Sequence, residues 1–563
     1  MNRFSILLIC ALLAGNLCAQ QPQNAADMLQ KSGEVYFTFE ITDVHAIHAL
    51  TKIISIDNVK GSTVWAYANK SEFAAFTGTG IKYTLLPHPA ELLQVKVSDI
   101  PALAPEWNYY PGYSAYETIM FQFQADHPGI CQIVTIAVLP SGRKILAAKI
   151  SSNVGLDQDK PEFMYVSSLH GDEITGYPTM LHLIDYLLSN YGKSDRITNM
   201  VNNMEIYINP LANPDGTFHG GNNAVNGATR YNANSVDLNR NFPDPQYGPH
   251  PDGNAWQPET IAAMDFASTH HINMSCNFHG GAEVVNYPWD TWARPHADNS
   301  WWNYVCREYA DTVHINSPAG YMSDVNNGVT DGYAWYEVNG GRQDYMTYFQ
   351  HDRECTIELS AEKLLPASQL INFWNYNYRS LLNYMEQSLY GIRGMVTDSA
   401  TGSPLFAMVF IAGHDVDSAQ VYANLPVGDY HRLLKAGNYT ITFSASGYMP
   451  KTFSNLSVSD KNTVRLDVQL NKSKVNSVDE PNNAWLKVFP NPVTGEAAMI
   501  ESSQPLEEIR MTDILGHKIL QAYPKGTSYL LAVNEMHNGI YLVEVRLKNS
   551  VVAWQKLIIN RAK

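Results

Sequence analysis

The apolar run Met164 to Ser168 ends on a polar turn, His170-Gly171-Asp172-Glu173, and a helical pattern follows, with Met180, Leu183, Ile184 and Leu187 recurring at helical spacing. A short apolar strand that feeds directly into a helix has to be buried on both faces, which only a helix-covered sheet provides. The alternation of β-rich runs with helical patterns continues from Tyr116 to about Tyr390. The expected fold class is therefore α/β, with a mixed, mostly parallel sheet flanked by helices.

Upstream, residues 34–90 suggest a smaller α/β module. A strand-like run Val35 to Phe39 is followed by a helix-like stretch from Asp43 to Ile54. A strand near Val64 to Ala68, a helix-like Ser71 to Phe76 and the run Ile81 to Leu86 complete it. Pro87, Pro89, Pro101, Pro105 and Pro111 then mark a linker, because proline fixes φ and lacks an N–H. After Gly391 strict alternation takes over: Tyr439, Ile441, Phe443 and Ala445, then Val464, Leu466, Val468 and Leu470, with Gly437-Asn438 and Gly447 as turns. The divisions expected are residues 20–110 for the module and its linker, 111–390 for the large α/β domain and 391–471 for a β-sandwich. A polar linker at 472–484 and a second β-domain at 485–563 follow.

The 563 residues include 45% hydrophobic and only 16% charged, with 33 Tyr and 11 Trp, ample for several buried cores. With 38 Lys+Arg against 54 Asp+Glu the formal charge is −16, and no basic face is evident. Nucleic-acid binding, which depends on neutralising phosphates, is not expected. Residues 1–19 look like an export signal: Arg3, the apolar run Ile6 to Ala14, and Leu17-Cys18-Ala19 before Gln20. Leu17 before Cys18 favours plain cleavage over lipid attachment. No later stretch reaches the roughly 18 apolar residues of a membrane span. Cys131, Cys276, Cys306 and Cys355 fit no zinc knuckle, and leave free thiols and one or two disulfides both open.

The chemistry concentrates in the large domain. His170 and Glu173, three apart at a strand-to-helix turn, can converge on one ion in the crevice beyond the strand's carboxyl end. A third candidate is His279 in Asn277-Phe278-His279-Gly280-Gly281, after another strand-like stretch. Two His and one Glu form a catalytic zinc set that leaves a position open for water. Downstream, Glu354-Cys355-Thr356-Ile357-Glu358-Leu359 offers two carboxylates on one strand face, and periodicity does not choose between them.

On these motifs the sequence resembles the zinc metallocarboxypeptidases of the carboxypeptidase A superfamily, most closely the subfamily of carboxypeptidases N, E and D, over about residues 112–388. The strongest single stretch is the run Arg230 to Pro243. The resemblance implies one zinc ion per chain, held by His170, Glu173 and His279, with Asp172 and Glu283 outside the ligand set. It makes Glu358 the general base and leaves Glu354 structural. It assigns Arg230 to the oxyanion, Asn239 and Arg240 to the substrate's terminal carboxylate, and Tyr336 to a mobile tyrosine that closes over the terminal residue. Asp290, in Asn286-Tyr287-Pro288-Trp289-Asp290, and Gln343 would line the pocket for that residue, and Asp290 would favour Lys or Arg. Arg342 departs from the subfamily, where methionine is usual, and would weaken cation selection if its charge pointed inward.

The 391–471 module resembles the transthyretin-like domain of the same subfamily. The final segment, with Val488-Phe489-Pro490-Asn491-Pro492, Asp513-Ile514-Leu515-Gly516 and Asn538 to Val543, resembles a type IX secretion sorting domain. The N-terminal module reads equally as a propeptide or a stable accessory domain. The function expected is a secreted or surface-bound zinc carboxypeptidase that releases C-terminal Lys or Arg from peptides or proteins. The alternatives are a cell-wall peptide carboxypeptidase of the same superfamily and a surface binding protein without activity. Expected partners are peptide C-termini and the secretion machinery, with no nucleic acid and no transmembrane segment.

Overall fold

The computed structural model describes residues 24–41, 44–95, 97–98, 107–473, 486–513, 517–534, 536–548 and 552–561. The export signal, Asp43, Pro101 and Pro105, most of the 472–484 linker and Ile514 to Gly516 lie outside them. The chain divides into two compact units that part between Lys472 and Ser473.

The first unit opens with α1 (Ala25–Ser32) and then β1 (Glu34–Glu40), α2 (Val44–Leu50), β2 (Ser55–Lys60), β3 (Thr63–Asn69), α3 (Lys70–Gly78) and β4 (Tyr83–Leu86). The strands form an antiparallel sheet in the order β2-β3-β1-β4. Asn69 caps α3 reciprocally with Glu72, satisfying the helix's first free N–H groups. Phe37, Phe39, Phe73 and Phe76 fill the space between sheet and helices. The strand β2 escapes the sequence reading. Its register with β3 slips between Ile56 and Asn58, and that bulge breaks the alternation by which a strand is recognised.

The large domain is built on β5 (Cys131–Val138), β6 (Lys144–Ile150), β7 (Glu162–Ser167), β8 (Glu205–Asn209), β9 (Ile272–His279), β10 (Ala282–Tyr287), β11 (Val329–Asp331) and β12 (Glu354–Ser360). They make one eight-stranded sheet in the order β11-β10-β12-β9-β7-β8-β6-β5. Its centre, β12-β9-β7-β8, is parallel, and β10 on one side and β6 on the other join antiparallel. Helices α4 (Tyr113–Asp126), α5 (Gly176–Asn190), α6 (Asp195–Asn203), α7 (Pro258–Thr269), α8 (Asn299–Asn316), α9 (Arg342–Phe349) and α10 (Leu370–Glu386) accompany it. One face buries Leu183, Leu187, Trp302 and Leu381 from α5, α8 and α10, and the other buries Phe266 and Met346 from α7 and α9. This accounts for central strands that are apolar on both sides. The four cysteines Cys131, Cys276, Cys306 and Cys355 are buried free thiols.

Residues 391–470 form two four-stranded sheets around Ile392, Val409, Phe443 and Val468. In the second unit a long strand, Ala497–Asp513, runs through a six-stranded sheet with Ile500, Ile509, Val543 and Leu557 in its core. Among the described residues no helix is long and apolar enough to cross a membrane.

Candidate functional site

Three neighbouring parallel strands, β7, β9 and β12, deliver the key side chains at their carboxyl ends, where an open α/β sheet leaves a crevice. His170 and Glu173 lie in the turn after β7. His279 is the last residue of β9, and Glu358 is its register partner on β12. The turn is held tightly: a Cβ on Gly171 would meet the Gly216–Thr217 backbone at 2.4–2.5 Å, so only glycine fits there.

His170 Nδ1 and His279 Nδ1 are 3.0 Å apart, and Glu173 Oε2 lies 3.0 Å and 2.8 Å from them. These buried atoms converge on one point from residues up to 109 apart, and the three can hold a metal ion. Their donor set is that of a catalytic zinc site with an open position. His170 is backed by Asp237, whose Oδ1 is 2.9 Å from Nε2, the carboxylate support that fixes the tautomer of a ligating imidazole. Burial holds the His279 imidazole down to about 4, against the pull of Glu173, whereas Glu173 and Asp237 raise His170 in spite of its burial. Glu173 is held well below the usual carboxylate range, since His170, Lys363 and His279 outweigh its burial. Glu358 Oε2 is buried without a hydrogen-bond partner among the described residues, and burial together with Glu173 raises this carboxyl. A carboxylate with a free oxygen at the open side of a metal site can carry a proton.

Around this centre the structure gathers the other expected residues. Arg230 is fully buried, with Nη1 3.0 Å from Glu173 Oε1 and Nε 3.2 Å from Asp237 Oδ2. Asp237 also caps the short turn Leu238–Arg240 by accepting the Asn239 N–H at 2.8 Å, so one carboxylate orients His170 and the Asn239-Arg240 pair together. Arg240 Nε is buried and unpartnered among the described residues. Tyr336 packs against the apolar core of the N-terminal module, and its hydroxyl lies within electrostatic reach of Arg240, Glu358 and Arg230.

Asp290 is buried beside Asp344, with Asp331 and Asp244 also within electrostatic reach. Its backbone N–H and that of Thr291 donate to Asp344 at 3.1 Å and 2.8 Å, and its Oδ1 accepts from Asn286 at 3.1 Å. A Cβ on Gly332 would fall 1.8 Å from Asp290 Oδ1, so this glycine leaves room for the carboxylate. Burial, with Asp331 and Asp244 adding, pushes Asp290 up to about 7. Gln343 reaches the same recess through Asn286 at 3.5 Å, and its Oε1 is unpartnered among the described residues.

Arg342 does not add its charge to that recess. Its N–H donates to Asn239 Oδ1, but its guanidinium runs beneath α9 to the start of β12, where it pairs with Glu354 at 3.1 Å and meets Met164. Glu354 also accepts from Ser275 and Asn277. His270 ends α7 and contacts the Phe266 carbonyl, away from the site.

Sequence reasoning missed Lys363, whose Nζ is 2.6 Å from Glu173 Oε1, along with Asp237 and Asp57. Asp237 stands within the run that carried the resemblance, and its place two residues before Asn239 was the available signal. Lys363 follows Glu358 by a few residues in a loop with no periodicity to aim it.

Comparison with known families gives three matches: a zinc carboxypeptidase domain over residues 116–380, a carboxypeptidase regulatory-like domain over 391–471 and a secretion system C-terminal sorting domain over 487–560. Human carboxypeptidase D is 33% identical over 403 residues, covering 68% of this chain and 28% of that protein. This chain thus spans less than a third of that relative. The human carboxypeptidase N catalytic chain is 31% identical over 389 residues, covering 62% of this chain and 83% of the relative. The solved carboxypeptidase A from Helicoverpa armigera shares the fold at a TM-score of 0.50 and 19% identity, over 63% of this chain and 97% of that one. The sorting domain is of the type IX kind and directs the chain to the outer surface or the extracellular space.

Proposed function

Because this chain belongs to the zinc carboxypeptidase family, we propose that it hydrolyses the last peptide bond of exported or extracellular polypeptides and prefers a C-terminal Lys or Arg. The observation that carries this reading is the meeting of His170, Glu173 and His279 within about 3 Å, with the unpartnered Glu358 carboxylate one strand away.

A zinc ion bound to the three side chains supplies a Lewis acid for the scissile carbonyl and lowers the pKa of a water beside it. Glu358 takes the proton of the attacking water and returns it to the leaving amine. Arg230, fixed by Asp237 and Glu173, faces the negative charge that develops on the carbonyl oxygen, where a preorganised cation stabilises the transition state more than the ground state. Arg240 and Asn239 grip the terminal carboxylate, which limits the reaction to chain ends. Tyr336 covers the terminal residue. Asp290, with Gln343 beside it, receives the cationic side chain, and the pairing of Arg342 with Glu354 keeps a competing charge out of that recess.

Purified protein should contain about one zinc per chain. It should release Lys or Arg from matched peptides faster than Phe, and equal rates would remove the assigned role of Asp290.

A further inference from the structure

Strands β7 and β9 lead to the catalytic groups at their carboxyl ends, and a different polar group gathers at their amino ends. Asp159 lies in the loop before β7, and His271 immediately precedes β9. With eight residues in β9, the two ends stand about 25 Å apart. The sandwich strand Asp429–Arg432 meets the amino end. Residues two apart on a strand share a face, so Asp429 and His431 point together. One oxygen of Asp159, one oxygen of Asp429 and a ring nitrogen of His431 lie within 4.8 Å of one another. His431 Nε2 is 3.0 Å from Asp429 Oδ2, and the imidazole of His271 is within electrostatic reach of both residues.

These groups lack a counterpart. His431 Nδ1 and Asp159 Oδ1 are both buried without a hydrogen-bond partner among the described residues, and the His431 side chain is only 1% exposed. Buried polar atoms of native proteins are paired, so the two call for a positive group between them. Arginine does not fill that place. Arg465 engages the other oxygen of Asp159 and divides its charge with Asp467 at 2.7 Å. Arg393 is the cross-strand neighbour of His431, but its Nε and Nη1 meet no acceptor among the described residues. Burial, with Arg393 beside it, holds the His431 imidazole down to about 3, which leaves a neutral ring able to offer a lone pair. A comparable group, Glu34 with His88 and Asp172, differs on this point, because the Glu34 oxygens already receive His88 and the N–H groups of Arg230 and Tyr231.

We propose that Asp159, Asp429 and His431 form a second metal site, for a divalent ion of the zinc class, which clamps the β-sandwich to the large domain. Mixed imidazole and carboxylate donors suit zinc, and the Asp159 side chain, 25% exposed, gives the ion a way in. Arg465 competes for Asp159, so this site is weaker than the catalytic one and fills when zinc is supplied, not in protein carried through purification. The strand that bears Asp429 and His431 also bears Arg432, which pairs with Asp298 of the large domain at 2.9 Å. The ion thus adds a second tie to a strand that already joins the two domains.

The test uses the full chain carrying its catalytic zinc. In a calorimetric titration with zinc chloride, wild type should bind one further ion, and Asp159→Asn and His431→Gln should each weaken that binding at least tenfold. No further binding by wild type, or binding that survives both substitutions in chains folded by circular dichroism, overturns the proposal. If either variant fails to fold, Asp429→Asn serves in its place. Added zinc should also raise the thermal midpoint of wild type and of neither variant, because only the folded chain brings the two halves of the site together. Equal rises in all three overturn the proposal. His170→Ala, which empties the catalytic site, should bind this ion as wild type does. Its loss there would assign the ion to the catalytic centre and overturn the second site.

Discussion

Replacing Asp290 by Asn tests the specificity recess at the point where its electrostatics are most demanding. In the free protein burial and the neighbouring carboxylates push Asp290 from 3.8 up to about 7, opposed by Asn286 and Arg240. At about 1.4 kcal/mol per pK unit, keeping this carboxyl ionised costs about 4 kcal/mol, which an entering ammonium or guanidinium relieves. Truncating one partner of a buried charge pair typically costs about 3–5 kcal/mol. Asp331 and Asp344 remain nearby, so the lower end applies, and kcat/KM for Lys peptides should fall on the order of 10²-fold while that for Phe peptides holds. The wild-type ratio of Lys to Phe kcat/KM should also fall about tenfold per pH unit below about 7, since kcat/KM follows ionisation in the free enzyme. Any factor common to both peptides cancels in that ratio. Stability moves in the opposite sense. The folded carboxyl binds its proton more tightly than the unfolded one, so Asp290 subtracts stability as pH rises from about 4 to about 7 and D290N should gain over wild type across that window. A ratio that is flat with pH, or unchanged in D290N, refutes the assignment.

Glu358→Gln should retain zinc by elemental analysis while turnover drops about 10²–10⁴-fold, the usual contribution of a general base; near-normal turnover would remove it from the mechanism. Asp237→Asn, which withdraws the support of His170, should weaken zinc affinity about 10–100-fold in a chelator competition, and unchanged affinity would mean the ring is held by packing alone. Asp298→Asn breaks a buried cluster in which Asp298 pairs with Arg353 at 2.8 Å and with Arg432 at 2.9 Å. Urea unfolding should show a loss of about 3–5 kcal/mol, whereas a loss within error would mark the cluster as unimportant to stability.

What was legible in the sequence was the chemistry that adjacent residues carry together. His170 with Glu173, and Asn239 with Arg240, sit in turns so short that residue type and spacing nearly dictate where they point. The alternating strands of 391–471 were equally readable, because one face of each is buried and the period is two. The strand β2 was hidden by the same rule, since its bulge removes the period. Asp57 acquires its partners only when a separate module docks, 173 residues away from Arg230 in sequence. Arg342 shows the limit from the other side. Its backbone touches Asn239 as position predicts, but it begins α9 and its side chain runs beneath that helix to Glu354, which no linear spacing reports. The cysteines could not be resolved by counting, because it is the meeting of β9, β12 and α8, which spacing does not report, that brings the free thiols of Cys276, Cys355 and Cys306 into one buried cluster.

The β-sandwich at 391–470 carries none of the site's side chains, yet it fixes the strand that bears Glu358. Arg353 immediately precedes β12. Its carbonyl accepts the Ser275 N–H from β9 at 3.0 Å, and its guanidinium is pinned between Asp298 and the Ala419 carbonyl of the sandwich, the latter at 2.6 Å. Arg432, also from the sandwich, shares Asp298 and is balanced by Asp415 at 2.6 Å. The start of β12 is therefore tied to both domains. An error of an ångström at a reacting group can cost about 10²-fold in rate, so anchoring the strand at Arg353 bears directly on where the Glu358 carboxylate meets its proton. The attachment of a β-domain behind the α/β domain then has a mechanical reason: it holds the start of the strand that carries Glu358, the base of the proposed reaction.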